Sequence, residues 1–157
     1  MENENELIYQ LADLWNKGVG VLPYWDDARD EYMMEWGVLV AMRNAVGISN
    51  AITKNELALE TQRIVNMRFD RLDQRLVTPT ERTIRIAIRN LRRAGALIVS
   101  SSAGAGYWRA ESMDEIREFT KNEFRDRALD MMVTARNMRR SAFAVFGRQI
   151  GLFAGGE

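Results

Sequence analysis

Two residue types are missing from this sequence, which contains no cysteine and no histidine. Without cysteine the chain cannot form disulfides or thiolate metal sites. Without histidine it lacks the most common general base and the Ser-His and Cys-His nucleophile systems. An enzyme would have to rely on carboxylates, lysine or tyrosine, and no paired carboxylates with a defined spacing stand out. We therefore expect a protein that is not an enzyme and that uses no metal or other cofactor.

Long apolar runs are also missing. No stretch approaches the ~20 apolar residues that a transmembrane helix needs, and the acidic start, Met1-Glu2-Asn3-Glu4, does not resemble a secretory signal. The chain has only 2 prolines and no internal repeat. Its 157 residues, 46% of them hydrophobic, suffice for one compact domain with appended helices. We expect no association with a membrane.

The sequence has no overall excess of either charge, because 22 Lys and Arg balance 22 Asp and Glu. The charges are unevenly distributed, however: residues 1–60 hold 4 basic and 11 acidic side chains, and residues 61–100 hold 9 and 3. All nine basic residues of the middle block are arginine, which makes bidentate contacts with phosphate and guanine. The block indicates either a localised binding site for an anionic partner or a solvated helix face with salt bridges.

The N-terminal third predicts two helices. Apolar residues at helical spacing predict the first over 4–16, and the glycines at 18 and 20 end it. The second is predicted from about residue 26 to about residue 46, with Gly47 as its C-terminal cap. The acidic residues in its first turns complement the helix dipole, which explains them without a metal site.

Two capping boxes predict further helices. Thr53-Lys54-Asn55-Glu56 starts a short helix that ends near Thr61. Ser112-Met113-Asp114-Glu115 starts a long helix that ends near Phe146. The stretch 64–76 is compatible with either a loose helical face or an irregular loop.

The clearest helix start is Thr78-Pro79-Thr80-Glu81, which predicts Thr78 as N-cap and Pro79 as the first helical residue. This helix ends near Ala94, before Gly95. Its apolar residues recur at helical spacing and predict one buried stripe, made of Ile84, Ala87, Ile88, Leu91 and Ala94.

A β-hairpin is predicted after this helix. Residues 96–101 and 107–110 form its strands, and the glycine-containing segment 102–106 forms its turn. Because this turn joins two strands and does not precede a helix, a phosphate-cradling loop is not indicated. Tyr107 and Trp108 are expected to pack in the core beneath the hairpin.

The order of a helix, an Arg-rich helix and a hairpin resembles winged helix-turn-helix proteins common in phage and prophage genomes. The resemblance lies mainly in residues 83–100 and Gly106-Tyr107-Trp108, and it covers about residues 50–145. It implies a mainly α fold with a small β-hairpin wing. The implied parts are N-terminal helices (1–47), a winged-helix core (48–111), a long C-terminal helix (112–146) and a flexible tail (147–157).

The same resemblance implies that the Arg-rich helix enters the major groove of duplex DNA. The implied DNA-contacting residues on its exposed face are Thr80, Arg82, Thr83, Arg85, Ile86 and Arg89. Near its far end, Arg92 and Arg93 are expected to contact phosphates or to cap helix carbonyls. The wing tip, with Ser101 and Ser102, is expected to lie along the backbone or the minor groove.

Near the end of the chain, Gln149-Ile150-Gly151-Leu152-Phe153 resembles the motif that binds the bacterial β sliding clamp, Gln-Leu-x-Leu-Phe. The resemblance implies that Leu152 and Phe153 enter an apolar pocket while Gln149 forms a hydrogen bond beside it. Ile150 replaces the more common leucine. Alternatively, these residues fold back to pack on the protein or to form a homodimer.

Three functions remain open at this point. The first is a DNA-binding accessory protein of phage-type DNA replication, which binds duplex DNA and, through its tail, the clamp. The second is a dimeric winged-helix transcription regulator. The third is a phage-encoded inhibitor or adaptor that binds protein and no DNA, which the acidic N-terminal third allows. Each implies a cytoplasmic location, in a bacterial host or a phage-infected cell.

Overall fold

The computed structural model divides the chain into two compact units, Met1–Ile116 and Arg117–Glu157. It describes residues 6–18, 32–71, 78–101 and 104–154, with the side chains of 69–71 and 148–154 excepted. The described residues are mainly helical, with one two-stranded antiparallel hairpin. A helix-rich fold with a small hairpin was predicted, and this part of the prediction is confirmed.

The first two helices are α1 (Glu6–Asn16), close to its prediction, and α2 (Met33–Ala41). The predicted start of α2 near residue 26 lies outside the described residues. Its predicted cap at Gly47 is wrong, because the helix already ends at Ala41 and Met42 is its C-cap. Gly47, with φ of 75°, instead precedes a 3-10 turn and donates its N–H to the Arg109 carbonyl at 3.0 Å.

The next helix, α3, spans Lys54–Arg71 and begins at the predicted capping box. The Thr53 N–H donates to Glu56 Oε2 at 3.0 Å, and the Glu56 N–H donates to Thr53 Oγ1 at 3.3 Å. The helix does not end near Thr61. It continues to Arg71, well into the stretch 64–76 for which helix and loop were both open, and residues 72–77 lie outside the described part.

α2 is the central helix of the first unit and contacts both α3 and α4 (Glu81–Arg93). A Cβ at Gly37 would lie 2.5 Å from Cγ2 of Val65, so α2 and α3 need a glycine at their closest approach. The helices α1, α2, α3 and α4 share one hydrophobic core. Each contributes a fully buried leucine to it: Leu11, Leu39, Leu57 and Leu91.

The predicted hairpin is present as β1 (Ile98–Ser101) and β2 (Gly106–Arg109). Ile52 adds a third segment that was not predicted: its N–H donates to the Tyr107 carbonyl, and its carbonyl accepts from the Tyr107 N–H, both at 2.9 Å. The hairpin is thereby attached to the residue that precedes the cap of α3.

The remaining helices are α5 (Met113–Thr120) and α6 (Asp126–Ala154), which are joined by a π-helical turn, Lys121–Arg125. At the start of α5, the Glu115 N–H donates to Ser112 Oγ at 3.2 Å, as the capping signal predicts. α6 continues eight residues beyond the predicted end at Phe146, so 147–154 is helical and not an irregular tail. No proline interrupts this segment, and a helix tolerates an isolated glycine at about 1 kcal/mol.

Candidate nucleic-acid interface

The helix α4 has two chemically different faces. Its buried face holds Ile84, Ala87, Ile88 and Leu91, as the periodicity predicts, while Ala94 at the helix end is half-buried. The opposite face is exposed and carries four arginines at helical spacing, here called the arginine face: Arg82, Arg85, Arg89 and Arg93. Ile86, 37% exposed, lies among them.

The charges of the arginine face are not neutralised within the described residues. None of its four guanidinium groups has a carboxylate oxygen within 4.0 Å in this part of the chain. Arg63 on α3 shows the contrast, because its Nη2 lies 2.6 Å from Glu60 Oε1. That contact lowers the pKa of Glu60 and raises that of Arg63. Among the described residues, the solvated salt-bridge interpretation therefore fits α3 and not α4.

The spacing of these arginines has an energetic cost. Arg85, Arg89 and Arg93 follow one another at four-residue intervals, and like charges at this spacing destabilise a helix by ~0.2–0.5 kcal/mol per pair. An anion bound between them would turn this repulsion into attraction. Exposed guanidinium groups on a well-packed helix are chemically suited to bind phosphate.

The N-terminus of α4 is capped by threonines, two residues later than predicted. Thr80 is the N-cap: its Oγ1 accepts from the Thr83 N–H at 3.2 Å, while the Thr80 N–H donates to Thr83 Oγ1 at 2.7 Å. The prediction of Thr78 as N-cap and Pro79 as first helical residue is wrong. Because Thr83 completes a reciprocal cap, it replaces Glu81 in this role, and both hydroxyls already have partners within the protein.

Arg92 differs from the four arginines of the exposed face. Its Nε donates to the Ile98 carbonyl at 2.9 Å, its Nη2 donates to Ser100 Oγ at 3.1 Å, and its guanidinium lies 6.0 Å from the ring centre of Tyr107. Arg92 was predicted to contact phosphate or a helix carbonyl. Its observed partners show that it holds β1 and β2 against the end of α4.

Two asparagines also position α4, and the sequence analysis identified neither. Asn16 at the end of α1 donates Nδ2 to the Gly95 carbonyl and accepts from the Leu97 N–H, both at 2.9 Å. Asn90 donates Nδ2 to Oε1 of the buried Glu35 at 3.0 Å. These partners lie 55 to 81 residues apart in sequence, so no local pattern indicates them.

The predicted wing residues are only partly described. Ser101 lies half-buried at the end of β1, and Ser102 lies outside the described residues. Tyr107 and Trp108 are 7% and 6% exposed, which confirms their predicted place in the core. Trp108 Nε1 also donates to Glu115 Oε2 at 3.2 Å, so this ring is not available for stacking on a base.

The predicted clamp-binding residues lie on the last turns of α6. The backbone of Gln149, Ile150, Leu152 and Phe153 is helical, and their side chains lie outside the described part. A binding segment that is already mobile was expected. The helical backbone means that an extended peptide would form only after the end of α6 unwinds.

In the described residues, no helix combines the length and apolarity needed to cross a membrane. The functional proposal for this protein rests on the chemistry of the arginine face. No protein family, no curated protein and no solved structure matches this chain.

Proposed function

We propose that this protein binds duplex DNA as a winged helix-turn-helix protein, with α4 as the recognition helix and the β1–β2 hairpin as the wing. The order of α2, α3, α4 and hairpin, with Ile52 bridged to β2, supports this architecture. The observation that carries the function is the arginine face, which is exposed along α4 and has no carboxylate partner in the described residues.

The proposed contacts follow from the chemistry of these side chains. Arg85 and Arg89 lie at the middle of the face, where a guanidinium can reach O6 and N7 of guanine. Arg82 and Arg93 lie nearer its two ends and contact phosphates, and Ile86 offers an apolar contact to a thymine methyl. Thr80 and Thr83 act mainly by holding the helix start, and Arg92 acts by holding the wing.

DNA binding is tested by fluorescence anisotropy with a labelled duplex. The substitutions Arg85→Ala and Arg89→Ala together should weaken binding at least about thirtyfold, since each good bidentate contact contributes ~1–3 kcal/mol and two are lost. The matched control, Arg136→Ala with Arg140→Ala, removes the same charge from exposed positions on α6 and should retain most of the affinity. Equal losses in the two variants would show that α4 is not the recognition helix.

We further propose that DNA binding serves phage-type DNA replication, with the motif Gln149–Phe153 engaging the bacterial β sliding clamp. Because this segment is helical, binding as an extended peptide requires the last turns of α6 to unwind, and the two glycines at 147 and 151 lower the cost of that change. Deletion of Gln149–Phe153 should abolish co-elution with purified clamp and leave duplex affinity unchanged. If the full-length chain never co-elutes with clamp, the replication role fails.

Two other results would redirect the functional assignment. A palindromic footprint with half-sites about one helical turn apart would support the dimeric transcription regulator. A stable complex with a bacterial protein, combined with no salt-sensitive affinity for DNA, would support the adaptor or inhibitor.

A further inference from the structure

The helix α6 exposes large apolar side chains on several sides, and three of them lie in line on one face. Met131 is 72% exposed, Met138 68% and Val145 57%. A helix alone in water is marginally stable, and a row of exposed large apolar side chains on it usually marks a contact surface. This feature is unrelated to the arginine face of α4.

The apolar positions follow the spacing of a coiled coil. Successive intervals of three and four residues connect six positions, here called the seam: Ala128, Met131, Ala135, Met138, Ala142 and Val145. None of the six is charged, and the alternation repeats every seven residues, as two paired helices require. The π-helical turn Lys121–Arg125 ends this register on the N-terminal side, because a π turn contains an extra residue and rotates the face.

We propose that the seam pairs with the seam of a second copy of this chain, with the two helices antiparallel. About a two-fold axis between Arg136 and Asn137, every alanine of one copy faces a large residue of the other. Ala128 lies opposite Val145, Ala135 opposite Met138, and Ala142 opposite Met131. The face is therefore complementary to itself, as a two-fold symmetric interface must be.

A parallel pair would be less well packed. In register, it would place alanine opposite alanine in one layer and methionine opposite methionine in the next. The spacing between the helices would then be too wide for the first layer or too narrow for the second. The antiparallel pair gives six layers that each contain one small and one large side chain, so one interhelical distance suits all of them.

The area of the seam and its flanking residues reaches the lower limit for a specific dimer. Met132 and Phe146 flank the seam and are 68% and 59% exposed. Together with the three large seam residues they would bury roughly 60–120 Å² each, or about 500 Å² per helix with the alanines included. The pair then buries about 1,000 Å², which is the lower limit for a specific interface.

The charges on α6 favour a second copy over an anionic partner at the seam. Arg136 and Arg140 are exposed on the sides of the helix that the seam does not occupy, and Arg139 is the one charged residue between Ala128 and Val145 that flanks the seam. At the seam, an anionic partner would therefore meet a row of uncharged side chains and a single positive charge.

Sedimentation velocity of the full chain without DNA, from about 1 to about 100 μM, tests whether the dimer forms. The wild-type mass should rise from the 18.1 kDa monomer towards twice that value. Met131→Glu with Met138→Glu should remain monomeric, because it places charges in the seam. Val133→Glu with Asn137→Glu adds the same charge to exposed positions outside the seam and should dimerise like the wild type. A monomeric wild type, or equal effects of both variants, would overturn the proposal.

The orientation can be tested by disulfide cross-linking, because the chain contains no natural cysteine. Ala128→Cys and Val145→Cys are prepared as separate single variants, then mixed and oxidised. Antiparallel pairing predicts covalent dimers in the mixture and none from either variant alone, since 17 residues of helix separate the two positions by about 25 Å. Cross-linking of Ala128→Cys with itself would indicate parallel pairing, and no cross-linking in any sample would exclude the seam as the interface.

Discussion

Arg89 and Arg92 lie three residues apart on α4 and have different surroundings. Arg89 is exposed on the arginine face, whereas Arg92 donates two hydrogen bonds to β1. Residue type and local sequence are nearly the same at both positions. Tertiary contacts therefore give the two arginines different roles. The difference can be measured as the effect of each substitution on stability.

Arg92→Ala should lower the free energy of unfolding by about 1–3 kcal/mol, because hydrogen bonds from a charged group to the hairpin are lost. Arg89→Ala should leave stability within about 0.5 kcal/mol, as expected for an exposed side chain. Urea unfolding followed by circular dichroism measures both values. If Arg89→Ala destabilised the protein as much as Arg92→Ala, the division into a binding residue and a positioning residue would be wrong.

At the scale of elements, the hairpin depends on one close approach between backbones. Gly106 and Gly104 both have positive φ, 95° and 87°. A Cβ at Gly106 would collide with the carbonyl of Ile52, whereas a Cβ at Gly104 would meet nothing within 4 Å. The two glycines therefore have the same conformational requirement and different surroundings.

Gly104→Ala should cost about 1–2 kcal/mol of stability, the usual penalty for alanine in a left-handed conformation. Gly106→Ala should cost at least about 2 kcal/mol more, because Ile52 has to separate from β2. Thermal unfolding of the two variants gives the comparison. Equal melting temperatures would show that the contact between Ile52 and the hairpin does not stabilise the fold.

The cap of α3 predicts a specific pH dependence. The backbone N–H of Thr53, and secondarily its hydroxyl, hold the pKa of Glu56 below its ordinary value of 4.5. A carboxylate with a lowered pKa contributes stability above the unfolded-state pKa and loses it as the pH falls through the folded-state pKa. The stability advantage of the wild type over Glu56→Gln should be present at about pH 6 and should shrink below pH 4.5. Chemical unfolding across this range measures it, and a constant difference would contradict the role of the ionised cap.

These elements also show how far the sequence predicts the structure. The cap Thr53–Glu56, the buried stripe of α4 and the two strands are local patterns, and the structure confirms them. The cap of α4 was misplaced because Thr78 and Thr80 are both good N-caps, and only the pairing of Thr80 with Thr83 separates them.

The hydrogen bonds that fix the position of α4 could not be predicted from local sequence patterns. Asn16 and Glu35 reach partners on α4 or just after it, at least 55 residues away in sequence. The exposed arginines of α4 were identified because helical periodicity alone separates them from the buried stripe. Periodicity does not show that Arg92 contacts the hairpin and lies off the arginine face. That assignment depends on the position of β1 in the fold.

At the scale of the whole molecule, the chain has two features with separate chemistry. The first unit holds the arginine face on a helix that is buried on its other side. The second unit holds the uncharged seam of α6. If both proposals hold, dimerisation brings two arginine faces into one complex and increases the number of phosphate contacts without any new contact within a single chain.

The central claim is that the arginine face binds the phosphates and bases of duplex DNA. The most direct test is the association constant of the full chain for a duplex as a function of salt concentration. Four arginines per chain predict a linear fall of log K with log salt, with a slope between about −2 and −4 when one chain is bound, because each phosphate contact releases counterions. Arg82→Ala with Arg93→Ala should reduce the size of that slope by about 1 for each phosphate contact removed. An affinity that does not change with salt, or no detectable binding at the lowest salt concentration, would contradict the claim.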